Sequence, residues 1–378
     1  MNRLSIITLI LCSFLSTAKE YDRLYLPQRS FTSSAMKGLG DAGIAFPLDI
    51  SGGMVNPALV YSYRRSVQED HGSAFLSYGR DSTFNQHILP LGASYSTLEG
   101  ALGFFYRLLM NKGELWQQEF VLNISGQISP NSENQGPVDL GLNLRFESMK
   151  WGDRPLGDLP EKVLFRDSSG NWSGDSINYP PTDHSEGYLR ERRLLLDIGF
   201  YQENVWPNID FGLTMRNLLG YVWSSENPYI SFSDRKITTD PAGEDTALVR
   251  TYFYQDKTEK TRAWTKGKYR GLAVGIVYHL DLGGNLRFSF PLDFEFIGLF
   301  DKKIKNRTIF RGGIQGKISQ NFYLRVGYSR APEFLLTGIN GFKSINVFTG
   351  GGGVCIAPLK LDFYISEQSF GTTLIFDY

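Results

Sequence analysis

Charged side chains recur at alternate positions in several segments of this sequence, and they are its most numerous candidates for chemistry. Residues of both signs at such spacing can bind a polar ligand, or they can pair with one another and fill an interior. Mutual pairing is the favoured interpretation for most of them. The set comprises Arg145, Glu147, Arg216, Arg287, Asp293, Glu295 and Arg325.

The histidines form no recognisable metal-binding or catalytic pattern. His71, His87, His184 and His279 show no H-x-x-x-H or H-E-x-x-H arrangement, so the sequence predicts no metal site. A hydrolase needs a serine and a histidine that a third group orients, and the sequence does not place such a pair. We therefore predict no catalytic residue, no cofactor and no enzyme activity.

Composition excludes another class of function. The chain has 378 residues with 39 Lys and Arg and 39 Asp and Glu, so its formal net charge is zero. A nucleic-acid-binding protein needs an excess of basic residues to neutralise phosphates, so no nucleic-acid partner is expected.

The elements that must position the charges are β-strands. Apolar residues occupy alternate positions in segments 138–147, 209–216, 286–296 and 322–329, with mostly polar or small residues between them. This period of two places the apolar side chains on one face and the charges on the other. If Phe and Leu face lipid, the charged residues face the interior of the sheet.

The alternation predicts fourteen strands. Several approach the length of about 9–11 residues that a tilted strand needs to cross a bilayer. The strands are predicted near 72–80, 87–97, 99–109, 116–129, 136–150, 188–203, 206–217, 267–281, 285–298, 306–318, 321–330, 345–357, 359–367 and 370–378.

The connections between these strands alternate between short and long. Tight turns are predicted at Leu98, Asn204–Val205 and Pro358, and long loops at 151–187 and 218–266. Outer-membrane barrels have short periplasmic turns and longer outer loops in this order. Because hydrocarbon leaves unpaired backbone groups unsatisfied, strands can cross it only as a closed sheet. We predict an all-β fold, a transmembrane antiparallel β-barrel of about 14 strands.

Both ends of the chain agree with an outer-membrane location. Arg3 and the short apolar run of residues 4–15, followed by small residues, predict a signal peptide over residues 1–18. The last strand carries apolar residues on one face and ends with Phe376 and Tyr378, which resembles the strand that the barrel-insertion machinery recognises. The predicted units are the signal peptide, an N-terminal periplasmic or hatch segment over 19–70, and the barrel over 71–378.

Residues 30–62 do not alternate cleanly. Their glycines and other small residues permit close backbone packing, so the segment can thread into the barrel lumen. The alternative is a periplasmic tail with a short helix from Pro57. The residues by themselves leave the two interpretations open.

One further feature of this segment is its resemblance to a known family. Small residues around Met36, Gly38, Gly40 and Gly43, together with Asn56-Pro57-Ala58, are similar to the N-terminal signature of the FadL-type fatty-acid transporter superfamily, which includes PorV-like proteins. Segments 212–220 and 325–328 resemble strands of PorV-like members. The resemblance implies a fourteen-stranded barrel with an N-terminal hatch. Lys37 and Asp41 depart from the usual run of small residues.

Pro291 interrupts an otherwise strong strand. Proline removes a hydrogen-bond donor from the ladder, so we expect a local gap or a bulge. The superfamily has lateral exits made by a kinked strand, which suggests that Pro291 marks an exit for an apolar ligand into the membrane. The alternative is a bulge that only adjusts curvature.

Two functions are compatible with this sequence. The first is passive uptake of hydrophobic small molecules, such as fatty acids, across the bacterial outer membrane. The second is a PorV-like component that binds or shuttles secreted proteins. The expected partners are membrane lipid, the barrel-insertion machinery, and a hydrophobic small molecule or a secreted protein. A soluble secreted β-protein is a third possibility.

Overall fold

The structure is a computed structural model that describes most of the chain from Thr32 to Tyr378. The predicted signal peptide and residues 19–31 lie outside the described residues, as does most of the predicted loop 151–187. The described ranges are 32–65, 71–81, 86–111, 115–129, 136–151, 165–166, 172–173, 189–226, 229–238, 246–255, 263–264, 270–283, 285–297, 308–319, 321–332, 344–367 and 369–378.

Fourteen antiparallel strands form the wall of the molecule. They are numbered here in chain order. The strands are β1 (His71–Asp81), β2 (Gln86–Ser96), β3 (Ala101–Asn111), β4 (Leu115–Ser129), β5 (Val138–Trp151), β6 (Leu189–Trp206), β7 (Ile209–Glu226), β8 (Gly271–Asp281), β9 (Arg287–Ile297), β10 (Thr308–Ser319), β11 (Phe322–Pro332), β12 (Ser344–Ile356), β13 (Leu359–Ser366) and β14 (Ser369–Asp377).

The sheet closes on itself. Each strand pairs with its neighbours in the chain, and β14 returns to pair with β1 from Ser73↔Asp377 to Asp81↔Ser369. Closure leaves no strand edge unpaired around the wall, which is the condition for a sheet to span a membrane. The predicted antiparallel barrel of fourteen strands is therefore confirmed.

Shorter strands belong to the connections. Ala263–Trp264 pairs with β7, while Tyr229–Thr238 with Thr246–Gln255 and Phe165–Arg166 with Trp172–Ser173 form separate hairpins. These lie at the end of the barrel with the long connections, which we call the loop end. The opposite end, with the tight connections and Tyr378, is the turn end.

The two faces of the wall differ as the alternation predicts. Phe294 is 43% exposed on the outer face, whereas the adjacent Asp293 is fully buried on the inner face. The same contrast holds for Leu142 and Asn143 on β5. Exposed apolar side chains surround the barrel, and polar side chains line its interior.

Two predicted boundaries around β6 and β7 are wrong. β6 continues to Trp206 and the turn lies at residues 207–208, not at Asn204–Val205. β7 runs on to Glu226 through residues that the sequence assigns to a loop, because they pair with β6 as far as Arg190↔Glu226. Cross-strand pairing extends these strands beyond the part with clear alternation.

The N-terminal segment, residues 32–65, contains three short helices: α1 (Ser34–Gly38), a 3₁₀ helix (Ile50–Met54) and α2 (Leu59–Arg65). The Ser33 side chain accepts a hydrogen bond from Met36 N, and the Asp49 side chain accepts one from Ser51 N. These are N-caps that stabilise such short helices. No helix in the described part of the chain has the length and apolar character required to cross a membrane.

Candidate functional site

The N-terminal segment packs on the inner wall of the barrel at positions without side chains. A Cβ atom on Gly327 of β11 would lie 2.0 Å from Gly40 N, and one on Gly199 of β6 would lie 2.0 Å from Asn56 Oδ1. Any other residue at these positions would displace the segment. Gly40 also has a positive φ of 68°, a conformation that glycine adopts without strain.

Asp293 fixes the middle of the segment to β9. Its Oδ2 atom accepts hydrogen bonds from the backbone amides of Gly43 at 2.7 Å and of Ile44 at 3.1 Å. A buried carboxylate that accepts two backbone N–H groups is well compensated. Asp293 was predicted as an inward polar residue, and the structure gives it this contact to the predicted hatch motif.

Three asparagines hold the next part of the segment. Asn56 donates from Nδ2 to Ile44 O at 2.7 Å and to Phe200 O at 3.0 Å. Asn123 donates to Pro57 O at 2.9 Å, and Asn143 donates to Gly53 O at 2.7 Å. The sequence analysis did not select Asn123 or Asn143. Their inward parity among apolar outward residues is a signal that could have identified them.

The remaining motif residues are buried in the same segment. Met36 is 1% exposed, and its Cε lies 3.0 Å from the position that a Cβ on Gly43 would take. Gly38 lies against Gly351 of β12. The two residues that depart from the family pattern pair with one another, because Lys37 Nζ lies 2.6 Å from Asp41 Oδ2.

An ionic belt crosses the inner wall on the loop-end side of the segment. Arg145 Nη1 lies 2.8 Å from Glu119 Oε1 and 3.2 Å from Glu147 Oε1, and its Nε lies 2.8 Å from Asp197 Oδ2. These side chains are nearly fully buried. The first part of the belt comprises Arg107, Glu119, Arg145, Glu147, Arg193 and Asp197.

A second part of the belt lies on β7, β9 and β10. Glu295 pairs with Arg216 at 3.2 Å and with Arg311 at 2.7 Å. Arg216 also donates to Val55 O of the N-terminal segment at 3.3 Å. Four of the predicted residues thus lie in ion pairs of the belt, in part with one another, as in Arg145–Glu147 and Arg216–Glu295. Their other partners, which the sequence analysis had not selected, are Glu119, Asp197, Arg193 and Arg311.

The ladder between β9 and β10 is interrupted at Pro291. Ser289 pairs with Gln315 and Leu292 with Gly312, but Phe290 and Pro291 have no partners on β10. The register is the same on both sides of the interruption, so this is a gap without the shift that a bulge would produce. Pro90 on β2 causes a similar gap toward β1, which the sequence analysis did not predict.

The wall at Pro291 is thin and apolar on both sides. The register on β10 places Gly313 opposite Pro291 and Ile314 opposite Phe290, and the paired Gly312 lies at the edge of the gap. On the inner side, the fully buried Leu39 packs on Gly313, at 2.9 Å from the position of a Cβ there. On the outer side, Leu292 covers Gly312. Only glycine backbone and apolar side chains separate the interior from the outer surface here.

A cavity of about 410 Å³ lies at the turn end, on the other side of the N-terminal segment from the belt. Phe46, Leu48 and Tyr63 of that segment border it, together with residues of nine strands. Tyr63 donates a hydrogen bond to Asp377 Oδ2 at 3.0 Å. Burial and the neighbouring Asp377 carboxylate raise the pKa of Tyr63 well above its ordinary value, so the phenol stays protonated.

A serine, a histidine and an aspartate meet in the wall of this turn-end cavity. His279 Nδ1 lies 2.9 Å from Ser289 Oγ, and His279 Nε2 lies 3.0 Å from Asp210 Oδ2. Tyr201 also donates to Asp210 at 2.9 Å. The sequence analysis could not place this chain of contacts, because its members come from three strands. Among the described residues, no group of His, Cys, Asp and Glu is arranged to hold a metal ion.

A solved transport barrel shares this architecture. The Ralstonia pickettii toluene transporter TbuX is 11% identical, with a TM-score of 0.50 over 91% of this chain and 97% of that chain. The barrel has the fold of TbuX. A Pseudomonas aeruginosa FadL homologue is 10% identical (TM-score 0.46, 93% and 99% covered), and the CymD monoaromatic hydrocarbon channel is 13% identical (TM-score 0.47, 92% and 96% covered).

The predicted FadL-type resemblance is therefore confirmed at the level of the fold. No protein-family model and no curated protein matches the chain. At 11% identity the likeness to TbuX concerns the backbone architecture, and the chemistry of the interior has to be argued from this chain's own residues.

Proposed function

We propose that this protein is a bacterial outer-membrane channel for the passive uptake of hydrophobic small molecules, such as fatty acids. The observation that carries the proposal is the thin apolar wall at Pro291. At this position only apolar groups lie between the buried Leu39 of the N-terminal segment and the outer surface. TbuX, which has the same fold, is a toluene transporter, and this supports the same general class of cargo.

The outer surface supports a membrane location. Exposed Phe, Leu, Ile and Val residues surround the barrel, and lipid-facing positions of outer-membrane barrels have this composition. The last strand presents Phe376 and Tyr378 on this outer face, with their rings stacked 5.6 Å apart. We propose that these two aromatic residues are recognised by the barrel-insertion machinery.

We further propose that the N-terminal segment is a hatch. Asp293, Asn56 and the glycines of the wall hold it across the interior between the ionic belt and the turn-end cavity. A ligand that enters from the loop end therefore meets the hatch. For an apolar ligand, the path with the fewest polar groups then leads past Leu39 to the gap at Pro291. For an uncharged ligand, lateral exit into the membrane avoids the polar cavity beyond the hatch.

Catalysis is not part of this proposal, although Ser289, His279 and Asp210 follow one another in the order of a hydrolase triad, with the two imidazole nitrogens exchanged. Ser289 is 4% exposed and its contact is to Nδ1 of the imidazole, while Asp210 contacts Nε2. The chain of contacts satisfies three buried polar groups in the wall. Covalent labelling of Ser289 by a fluorophosphonate would contradict a purely passive role.

A PorV-like role is the second candidate. The hairpin of Tyr229–Thr238 and Thr246–Gln255 lies in the long connection between β7 and β8, at the loop end where a secreted protein would be held. Purification from the native membrane discriminates the two functions, because bound lipid supports uptake and a bound secreted protein supports the alternative.

The decisive experiment is uptake by cells. The gene is expressed in a bacterium that lacks its own hydrophobic-compound transporter, and entry of radiolabelled oleate and toluene is measured beside an empty-vector control. We expect faster entry of at least one compound and recovery of the protein in the outer-membrane fraction. Entry at the empty-vector rate for both compounds, with the protein present in that fraction, would reject the proposal.

A further inference from the structure

We propose that the turn-end cavity binds the anionic head group of an amphiphile, with a carboxylate as the simplest case. The inference rests on the proposed uptake function and names the polar part of a cargo molecule. It concerns the side of the N-terminal segment that faces the tight turns.

Two cations without a salt bridge face each other at the mouth of this cavity. Arg287 on β9 and Lys317 on β10 are register partners, and both border the cavity. Neither forms an ion pair with another described residue. Like charges directly opposite one another destabilise a sheet unless an anion lies between them. Asp281 pairs with Arg287 in the β8–β9 register, but its Oδ1 accepts the Gly283 amide at 2.9 Å instead.

Further positive charge surrounds Tyr323 on β11. Lys317 Nζ lies 5.9 Å from the ring centroid, Lys360 Nζ 5.8 Å and Arg325 Cζ 5.6 Å. Lys360 and Arg325 share a single carboxylate, that of Asp362. One acidic residue therefore faces three cations on this side of the cavity.

Arg325 supplies an unpartnered donor. The residue is 2% exposed and borders the cavity, and its Nη2 atom has no hydrogen-bond partner among the described residues. Its Nε and Nη1 atoms donate to Gln315 and Asp362. A buried guanidinium nitrogen without an acceptor is costly, and Arg325 adds to the wall a positive charge that a nearby anion would stabilise.

The other carboxylates at the cavity have separate partners. Asp210 accepts from Tyr201 and contacts His279, and Asp377 accepts from Tyr63 and Ser73. Glu203 lies on β6, three strands from Arg287. The uncompensated positive charge is therefore confined to the wall from β9 to β13.

The N-terminal segment adds apolar residues to the lining of the cavity, close to the cations, because Lys360 Nζ donates to Leu48 O at 3.1 Å. Phe46, Pro47 and Leu48 border it from the N-terminal segment. A volume of about 410 Å³ falls within the range of small-molecule sites. Cations and apolar groups in one lining fit a molecule with an anionic head and a short alkyl chain, rather than an uncharged hydrocarbon.

The test compares octanoate with octanol, which share an alkyl chain and differ in charge. Equilibrium dialysis with radiolabelled ligand is performed on the full chain in a nonionic detergent. The variants are Lys317→Gln, Arg287→Gln, the double variant, and Lys317→Arg as the charge-conserving change. Arg330→Gln is the matched control, because Arg330 is an exposed cation on β11 outside the cavity. Inorganic phosphate is added as a competitor with a charge but no chain.

We expect saturable octanoate binding whose affinity falls about 10-fold in the double variant. The affinity should be retained in Lys317→Arg and unchanged in Arg330→Gln. Octanol should bind less tightly and respond less than 2-fold to any of these changes. Equal losses for octanoate and octanol, or no loss for octanoate, would overturn the inference. Tight phosphate binding with no octanoate binding would also overturn it, and would indicate a site for small inorganic anions. Toluene uptake by cells tests the proposed transport function separately, so the two can fail independently.

Discussion

Asn56 occupies the space in front of Gly199. A Cβ on Gly199 would lie 2.0 Å from Asn56 Oδ1 and 2.6 Å from Pro57 Cδ, and the same asparagine donates to Phe200 O at 3.0 Å. The turn of the N-terminal segment at Asn56 is thus matched to one position of the wall that has no side chain.

Substitution Gly199→Ala should displace Asn56 and destabilise the barrel. Overpacking of a filled site costs about 1–3 kcal/mol. The measurement is the midpoint of urea unfolding in lipid vesicles. Gly350→Ala is the control, since its Cβ would meet no atom closer than 4.0 Å. Equal unfolding midpoints for the two variants would show that the close approach does not constrain the segment.

Loss of the Asp293 carboxylate should loosen the N-terminal segment locally. Asp293→Ala removes the acceptor of the Gly43 and Ile44 amides, and each hydrogen bond to a charged group contributes about 1.5–3 kcal/mol. We expect hydrogen exchange at these two amides to accelerate by about 10-fold or more. Asp281→Ala, at an exposed position of the turn end, should leave both amides unchanged. Unaltered exchange in Asp293→Ala would mean that other contacts hold the segment.

The ionic belt should depend strongly on Arg145. Replacement by Met leaves Glu119, Glu147 and Asp197 buried without their shared cation, and breaking a buried pair costs about 3–5 kcal/mol. The unfolding midpoint of Arg145→Met should therefore fall well below that of Arg330→Met, in which an exposed cation is removed. Similar midpoints would indicate that the belt is solvated in the working protein.

Closure of the gap at Pro291 should reduce uptake. Pro291→Val supplies a backbone donor and allows the β9–β10 ladder to continue across Gly313. We expect cellular uptake of toluene to fall, while the amount of protein in the outer membrane stays the same. Pro90→Val repairs a similar gap between β1 and β2, away from Leu39, and should leave uptake unaltered. Unchanged uptake in Pro291→Val would remove the lateral exit.

Strand identity and sidedness were largely predictable because the alternation of side chains is local. The period of two at residues 138–147 determined that Leu142 faces outward and Asn143 inward, whatever their neighbours. Boundaries failed where alternation was weak, as in β7, whose second half is specified by pairing with β6. The contact of Asn56 with Gly199 was not predictable, since it joins residues 143 positions apart.

The sequence by itself determined a closed barrel with fourteen strands, an apolar exterior and a charged interior, because each of these follows from the order of neighbouring residues and the lengths of connections. Only the tertiary structure decided which inward residues meet. The pairing of Arg145 with Asp197, the gap opposite Gly313, and the cluster of Arg287, Lys317 and Lys360 depend on register. Register accumulates from strand to strand around the closed sheet, so a shift in one ladder changes which side chains share a level in all the others.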